Sequence, residues 1–384
     1  MSAVSEAGKA RRARVASLGL GALAAGRQLL SGWARLWARP VWAGSFALII
    51  YTVIAAAHHP VLQPTSTNYY DYLANAFLHG QLWLRQVPHQ TRDLVYYRGH
   101  YALYWGPLPA VLLMPAVAFF GIGVSDVLTS VVVGAINVAL IAAILQVATV
   151  RRVAPLSRDR RGILVLFFAL GTVAITLAPQ GRVWSLDQLF GFMWVALAYL
   201  AALRLRGWRA FLLTGLALSG AVLTRNHLVL TGIWPAWYLI HEHWDVRWRG
   251  LIGRLLVAGA PIVGAVGLLG IYDWARFGNP LNVGIPYHLM NPAFRPDYAR
   301  YGFLSLHYVP INLFYQYVFY PLPMRADSLM GGSLFLMSPV FFLALAGIWL
   351  GRRHGSTWAL VGSIMLVNVP ILLLMGTGWM QYGP

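Results

Sequence analysis

Long apolar stretches alternate with short basic ones along almost the whole chain. Residues 41–57, 163–178 and 358–375 hold no charged side chain. A helix rises about 1.5 Å per residue, so each stretch is long enough, or nearly so, to cross a hydrocarbon core about 30 Å thick. The pattern predicts roughly nine membrane-spanning helices, near 41–58, 125–150, 162–178, 186–203, 210–224, 227–241, 251–272, 333–350 and 357–376. Pro235, Pro261, Pro339 and Pro370 fall inside these segments. Membrane helices tolerate proline where neighbours satisfy the freed backbone groups. The expected fold class is all-α, a polytopic transmembrane helix bundle. A basic segment over 1–40 precedes one transmembrane domain over 41–384.

One apolar segment, 108–123, is ambiguous, because it contains Pro109 and Pro115 and follows Pro107. Charge decides how it lies. If it does not cross, 20 of the 29 lysines and arginines fall on the side of the N-terminus and 9 on the other. If it crosses, every later loop changes sides and the division becomes 13 to 16. Only the first arrangement obeys the positive-inside rule. Residues 108–123 are therefore read as a helix lying at, or dipping into, the outer face. The first span is read as an uncleaved anchor in a plasma (inner) membrane, with a cytoplasmic N-terminus. Ala55-Ala56-Ala57 resembles a signal-peptidase site, but the apolar run before it is longer than a typical signal core of ~7–15 residues. Acids then segregate too. Asp71, Asp93, Asp126, Asp187, Asp273, Asp297 and Asp327 fall outside or at outer helix ends, and Glu6, Asp159, Glu242 and Asp245 inside. The two long outer loops, about 59–124 and 273–332, are rich in Tyr, Trp, His and Pro. Such loops are expected to carry amphipathic helices on the membrane surface.

Composition narrows the function classes. The chain is 59% hydrophobic and 10% charged, where a soluble domain carries about 25% charged residues. A net charge of +18 is explained by orienting loops, and no nucleic-acid partner is expected. With no cysteine, disulfides and thiolate metal sites are excluded. His58 and His59 are adjacent and no spaced histidine array occurs, so no built-in metal site is expected. Neither a phosphate-cradling glycine loop nor a hydrolase serine motif is present.

Four charged residues have both a structural and a chemical reading. Asp71 lies in the first turn of a helix expected over Asn68-Tyr69-Tyr70-Asp71-Tyr72 and beyond, where Leu73 and Phe77 share a face. It is either a favourable charge at a helix N-terminus or a general base at the mouth of a cavity. Asp187, at the outer start of a span, is either a cap or an acid facing a water-filled cavity. Arg225, between two spans, and Arg276, after Tyr272-Asp273-Trp274, are either interfacial arginines or bidentate phosphate clamps.

Taken in order, these elements resemble the C-type (GT-C) membrane glycosyltransferases, including the protein O-mannosyltransferases and lipid A aminoarabinose transferases. Asp71 after the first span resembles their first-loop acid. Tyr104-Trp105-Gly106-Pro107-Leu108-Pro109, with the apolar stretch ending Phe120-Gly121, resembles their loop-one surface helix. Residues 178–187 resemble the second outer loop with its acid. Residues 215–225 resemble the small-residue helix ending in a basic residue. Arg276-Phe277-Gly278-Asn279-Pro280 and Tyr308-Val309-Pro310-Ile311-Asn312 resemble later elements. The family often pairs its first-loop acid with a second acid, where Tyr70 and Tyr72 flank Asp71 here.

The resemblance implies transfer of a sugar from a polyprenyl-phosphate donor to an acceptor (glycan, lipid or protein) at the outer face. It implies catalytic roles for Asp71 and Asp187 and donor-phosphate contacts from Arg225 and Arg276. It also implies sugar contacts from Tyr70, Tyr104, Trp105 and Trp184. No cofactor is fixed by these residues, and a divalent metal is left open. Relatives continue beyond the equivalent of 378–384, so the resemblance implies a C-terminally incomplete domain. The alternative class is a polytopic transporter or lipid flippase, for which Asn137 and Asn368 inside spans are the relevant feature.

Overall fold

The computed structural model describes residues 32–244, 246–319 and 332–375. The expectations resting on residues 1–31, including Glu6, and on Asp245, Asp327 and 378–384 lie outside the described residues. In chain order the main elements are α1 (Pro40–His58), α2 (Tyr69–Leu78), the strands β1 (Val95–Tyr97) and β2 (His100–Ala102), and α3 (Leu108–Phe120). There follow α4 (Asp126–Val150), α5 (Arg158–Leu170), α6 (Val183–Arg204), α7 (Gly207–Thr224), α8 (Ile233–Glu242) and α9 (Trp248–Phe277). The last are α10 (Phe342–Gly351) and α11 (Gly355–Leu373).

The protein is all-α, with a single two-stranded hairpin among the described residues. Six helices, α1, α4, α6, α7, α9 and α11, are long and apolar enough to cross a membrane. The other three expected spans are interrupted, for local reasons. Over 162–178, α5 stops at Gly171, and the Thr172 hydroxyl donates back to Phe168 O at 2.6 Å while accepting from Ala174 N at 3.2 Å. Over 227–241, a 3-10 stretch Asn226–Gly232 precedes α8. Over 333–350, a short helix Leu334–Met337 ends at Ser338, and Pro339, which has no N–H to continue the ladder, opens a new turn before α10. The expected span at 251–272 is in fact the 30-residue α9.

The ends of the helices sort onto two faces. On one, Thr65 after α1 bonds Asp126 at the start of α4, and Tyr70 of α2 bonds Asp187 near the start of α6. On the other, Arg35 pairs with Asp159 at 2.8 Å, and Arg151 after α4 donates to Leu203 O near the end of α6 at 3.0 Å. Both ends of α3 are tied to the first of these faces. Gly106 N donates to Thr224 O at 3.2 Å, and Asn68 Nδ2 to Ile122 O at 2.9 Å. Helix α3 thus leaves and returns on one face without reversing the order of the helices.

The helices meet through small residues, as expected where lipid gives no hydrophobic drive to association. A Cβ on Gly215 of α7 would lie 2.1 Å from the carbonyl oxygen of Ala258 on α9. Some polar groups inside spans bond neighbouring segments. Tyr51 donates to Ala169 O at 2.8 Å, and Asn137 to Leu189 O at 2.9 Å. Asn368 of α11 accepts from Gln316 at 3.0 Å and donates to the Tyr317 hydroxyl. Both asparagines flagged for transport therefore hold neighbouring segments together.

The first helix of the first long loop does not lie on the surface. In α2, Tyr69, Tyr70, Asp71, Tyr72, Leu73, Ala74 and Ala76 are all buried. Arg98 and Gly99 both have positive φ, +49° and +88°, which is the two-residue turn that matches strand twist and closes β1 on β2. The second loop docks on this hairpin. Val95 bridges His288, and Leu289 N donates to Leu94 O at 2.8 Å. Tyr97, Phe277 and Tyr287 pack ring against ring, with Tyr97 and Tyr287 4.3 Å apart.

The close approach at Gly215 generates a stability prediction. Gly215→Ala must push the α9 backbone away and should cost about 1–3 kcal/mol. Gly259→Ala, with nothing within 4 Å of the new Cβ, should be neutral or stabilising. Thermal melting of the purified protein in detergent checks this, and equal melting of the two variants would contradict the contact.

Candidate functional site

Asp187 is the centre of the polar contacts on the loop-bearing face. It sits one turn into α6 with no exposed surface. It is not a cap, because the N-cap position is Arg182. Its carboxylate accepts the Tyr70 hydroxyl at 2.8 Å and pairs with Arg225 Nε. Arg225 follows the last residue of α7 and closes that helix with its N–H on Ala221 O at 2.8 Å. One charge pair therefore joins α2, α6 and the corner after α7. The Arg225 side chain stays 25% exposed, and among the described residues its terminal nitrogens have no hydrogen-bond partner. It can meet an anion while still bound to Asp187.

Asp71, the next residue after Tyr70, points elsewhere. Consecutive helical residues do not share a face, so Tyr70 reaches α6 while Asp71 turns toward the start of α4. Its one hydrogen-bond donor among the described residues is Asn68 Nδ2, at 3.1 Å, and no described cation pairs with it. Burial pushes its carboxyl up to about 8, and the nearby Asp126 adds to the rise. Asp126 in turn accepts from Thr65, from the backbone at 2.8 Å and from the hydroxyl at 2.5 Å.

Arg276 has a structural part. Its terminal nitrogens are spent on Leu103 O, at 2.5 Å, and on Asp273, at 2.7 Å, and its plane lies 3.7 Å over the Tyr272 ring. With 1% of the side chain exposed, no terminal nitrogen is left for a phosphate. The expected phosphate clamp gives way to a staple between the two loops. Trp105 is buried against Tyr104, ring centres 4.4 Å apart. Tyr104 is half-buried and edge-on to His288 at 4.8 Å. Burial raises the Tyr70 and Tyr104 hydroxyls and drops His288 to about 4. His288 is thus neutral at pH 7, and its 3.5 Å approach to Asp93 is not an ion pair there.

Trp184 stands apart from these and lines an open cleft of about 430 Å³ beside the ends of α1, α4 and α6. Arg92, Arg182, Gln90 and Gln180 also line it, whereas Asp71, Asp187 and Arg225 do not. Sequence reasoning missed these residues together with Thr65 and Asn68. The signal was the polar run Pro64-Thr65-Ser66-Thr67-Asn68 between a span and a helix. Among the described residues no group of three or more His, Asp or Glu could hold a metal ion. Comparison with protein-family models, with curated proteins and with solved structures found no match.

The state of Asp71 is open to test. Its carboxyl titrates near 3.8 when unperturbed and is raised to about 8 in the fold. Between those values the native state binds the extra proton. The stability it contributes is complete below about 3.8 and is lost as pH rises through about 8. The wild type should therefore lose melting temperature relative to Asp71→Asn as the buffer moves from about pH 5 to about pH 9. Parallel melting curves would show that Asp71 is not held neutral.

Proposed function

We propose that the protein is an integral membrane glycosyltransferase of the C type, moving a sugar from a polyprenyl-phosphate donor to an acceptor at the outer face. The observation that carries this reading is the pairing of two unlike acids on one face. Asp187 is fixed by Arg225 and Tyr70, and Asp71 is buried one residue further on without a cation. One acid held by a cation and a hydroxyl beside one without a cation suits an electrostatic role for the first and proton transfer for the second.

In this scheme the open side of Arg225 meets the donor phosphate. Asp71, once ionised, takes the proton of the acceptor hydroxyl. That oxygen attacks the anomeric carbon, the bond from that carbon to the phosphate oxygen breaks, and polyprenyl phosphate leaves with the electron pair. Arg225 stabilises the charge that develops on it. Tyr70 and Asp187 keep the guanidinium in place. Arg225→Ala is a poor probe of donor binding, because it also strands a buried carboxylate, at a cost of about 3–5 kcal/mol.

A second reading, a transporter or lipid flippase, draws on the interrupted segments at Gly171 and Ser338, since broken helices often line transport paths. Neither of these two breaks carries a charged side chain, and the charge at the third, Arg225 before Asn226–Gly232, is paired with Asp187.

Two measurements test the proposal. With a radiolabelled polyprenyl-phosphate sugar and the full chain, Asp71→Asn should lower turnover by ~10²–10⁴-fold. The wild-type rate should rise with pH to a plateau above about 8, where Asp71 is ionised. Near-normal turnover by a folded Asp71→Asn protein would remove Asp71 from the reaction. For orientation, single cysteines replacing Arg158 and Arg206 should be protected from an impermeant thiol reagent, and those replacing Arg92 and Arg295 should react. Reaction at Arg158 from outside would place the two long loops in the cytoplasm, away from the proposed donor.

A further inference from the structure

The cleft holding Trp184 has a chemistry distinct from the Asp187 centre. No acidic side chain lines it, although two stand behind its wall: Asp126, bonded to Thr65, and Asp93, which interacts with Trp184 and Arg92. Thr65 turns both its N–H and its hydroxyl toward Asp126, which keeps that carboxylate occupied. Two arginines, Arg92 and Arg182, line the opening, both exposed and neither in an ion pair among the described residues. Two glutamines are held by their oxygens. Gln90 Oε1 accepts from Ser66 at 3.3 Å, and Gln180 Oε1 accepts from Ser185 at 3.0 Å. Each amide therefore keeps its NH₂ donors for something else. The lining also includes the half-buried Trp184, whose flat apolar face can cover the C–H side of a sugar ring.

A cleft lined by two cations, spare amide donors and an aromatic wall, with its neighbouring carboxylates turned to other partners, selects an anion that also carries hydroxyls. We infer that it binds an acidic saccharide, its carboxylate or phosphate on Arg92 and Arg182 and its hydroxyls on the glutamines. In the transferase reading, on which this role rests, the cleft holds a part of the acceptor other than its reacting hydroxyl, since Asp71, Asp187 and Arg225 do not line it. The volume of about 430 Å³ is in the range of small-ligand sites, roughly 300–1,000 Å³, and suits one or two sugar rings.

The test is direct binding, measured by calorimetry on the full chain in nanodiscs of neutral lipid. Digalacturonate and mannose 6-phosphate serve as acidic probes, and maltose and mannose as their neutral counterparts. At least one acidic probe should bind more than about tenfold tighter than its neutral counterpart, and added salt should weaken it. The double variant Arg92→Gln/Arg182→Gln should lose about tenfold or more of that affinity. Its binding of polyprenyl phosphate should be unchanged. Four results would each overturn the proposal. The first is no binding of either acidic probe. The second is equal binding of acidic and neutral probes, or of wild type and variant. The third is displacement of the probe when phosphatidylglycerol is added to the disc, which would assign the cleft to lipid headgroups. A fall in polyprenyl-phosphate binding in the variant would also overturn it, by making this the donor site. Acidic-probe binding without any sugar transfer would leave the cleft as inferred and fail only the transferase reading.

Discussion

A carboxylate with no exposed surface stays charged in an apolar bundle only where a cation and hydrogen-bond donors face it. Asp187 meets that condition through Arg225 and Tyr70, and the requirement organises the loop-bearing face. Tyr70 can reach α6 only if α2 folds back over the bundle. Arg225 can reach Asp187 only if α7 ends where it does. Gly106 fits the same corner, because its N–H bonds Thr224 O and a Cβ there would lie 2.1 Å from Leu223 O. The start of α3 is thereby pinned beside the charge pair.

The two long loops form a second layer on this base. Arg276, stapled to Leu103 O and Asp273, joins the end of α9 to the chain leading into Tyr104. The rings of Trp83, Tyr97, Phe277 and Tyr287 fill the space between. Aromatic composition thus serves packing within the cap more than contact with lipid. Trp184 and the polar run after α1 are left at its edge, where the cleft opens.

Much of this was readable from the chain, unevenly. Uninterrupted apolar runs gave α1, α4, α6, α7, α9 and α11, because length and hydropathy alone decide whether a helix can span. The spacing of Leu73 and Phe77 gave α2. The interruptions at Thr172 and Ser338 were not readable, since their neighbours stay apolar and the break depends on a side-chain hydroxyl or a single proline. The β1–β2 hairpin hid in a tyrosine-rich loop, although a glycine after Arg98 was a turn signal. Asp187 and Arg225 were each singled out, but not as partners, because 38 residues separate them and only the packing of α6 against α7 brings them together. The cleft was missed because neutral glutamines in loops form no motif.

Four buried acids among the described residues of this face show where the fold departs from simple stability. Asp187 has Arg225, Asp273 has Arg276, and Asp126 has two donors from Thr65. Asp71 has one amide and a nearby carboxylate. An alanine, or an asparagine bonded to Asn68, would fill the position without desolvating an acid. A leucine there would even extend the apolar packing of α2. Buried acids without a cation are costly enough that a fold able to satisfy three of four gains nothing structurally from leaving the fourth alone. What the arrangement does supply is a carboxyl raised to about 8, one residue after the tyrosine that bonds the guanidinium's partner. Strongly perturbed acids of this kind concentrate at functional sites, and that asymmetry, more than the ion pair itself, is the physical reason to look for proton transfer on this face.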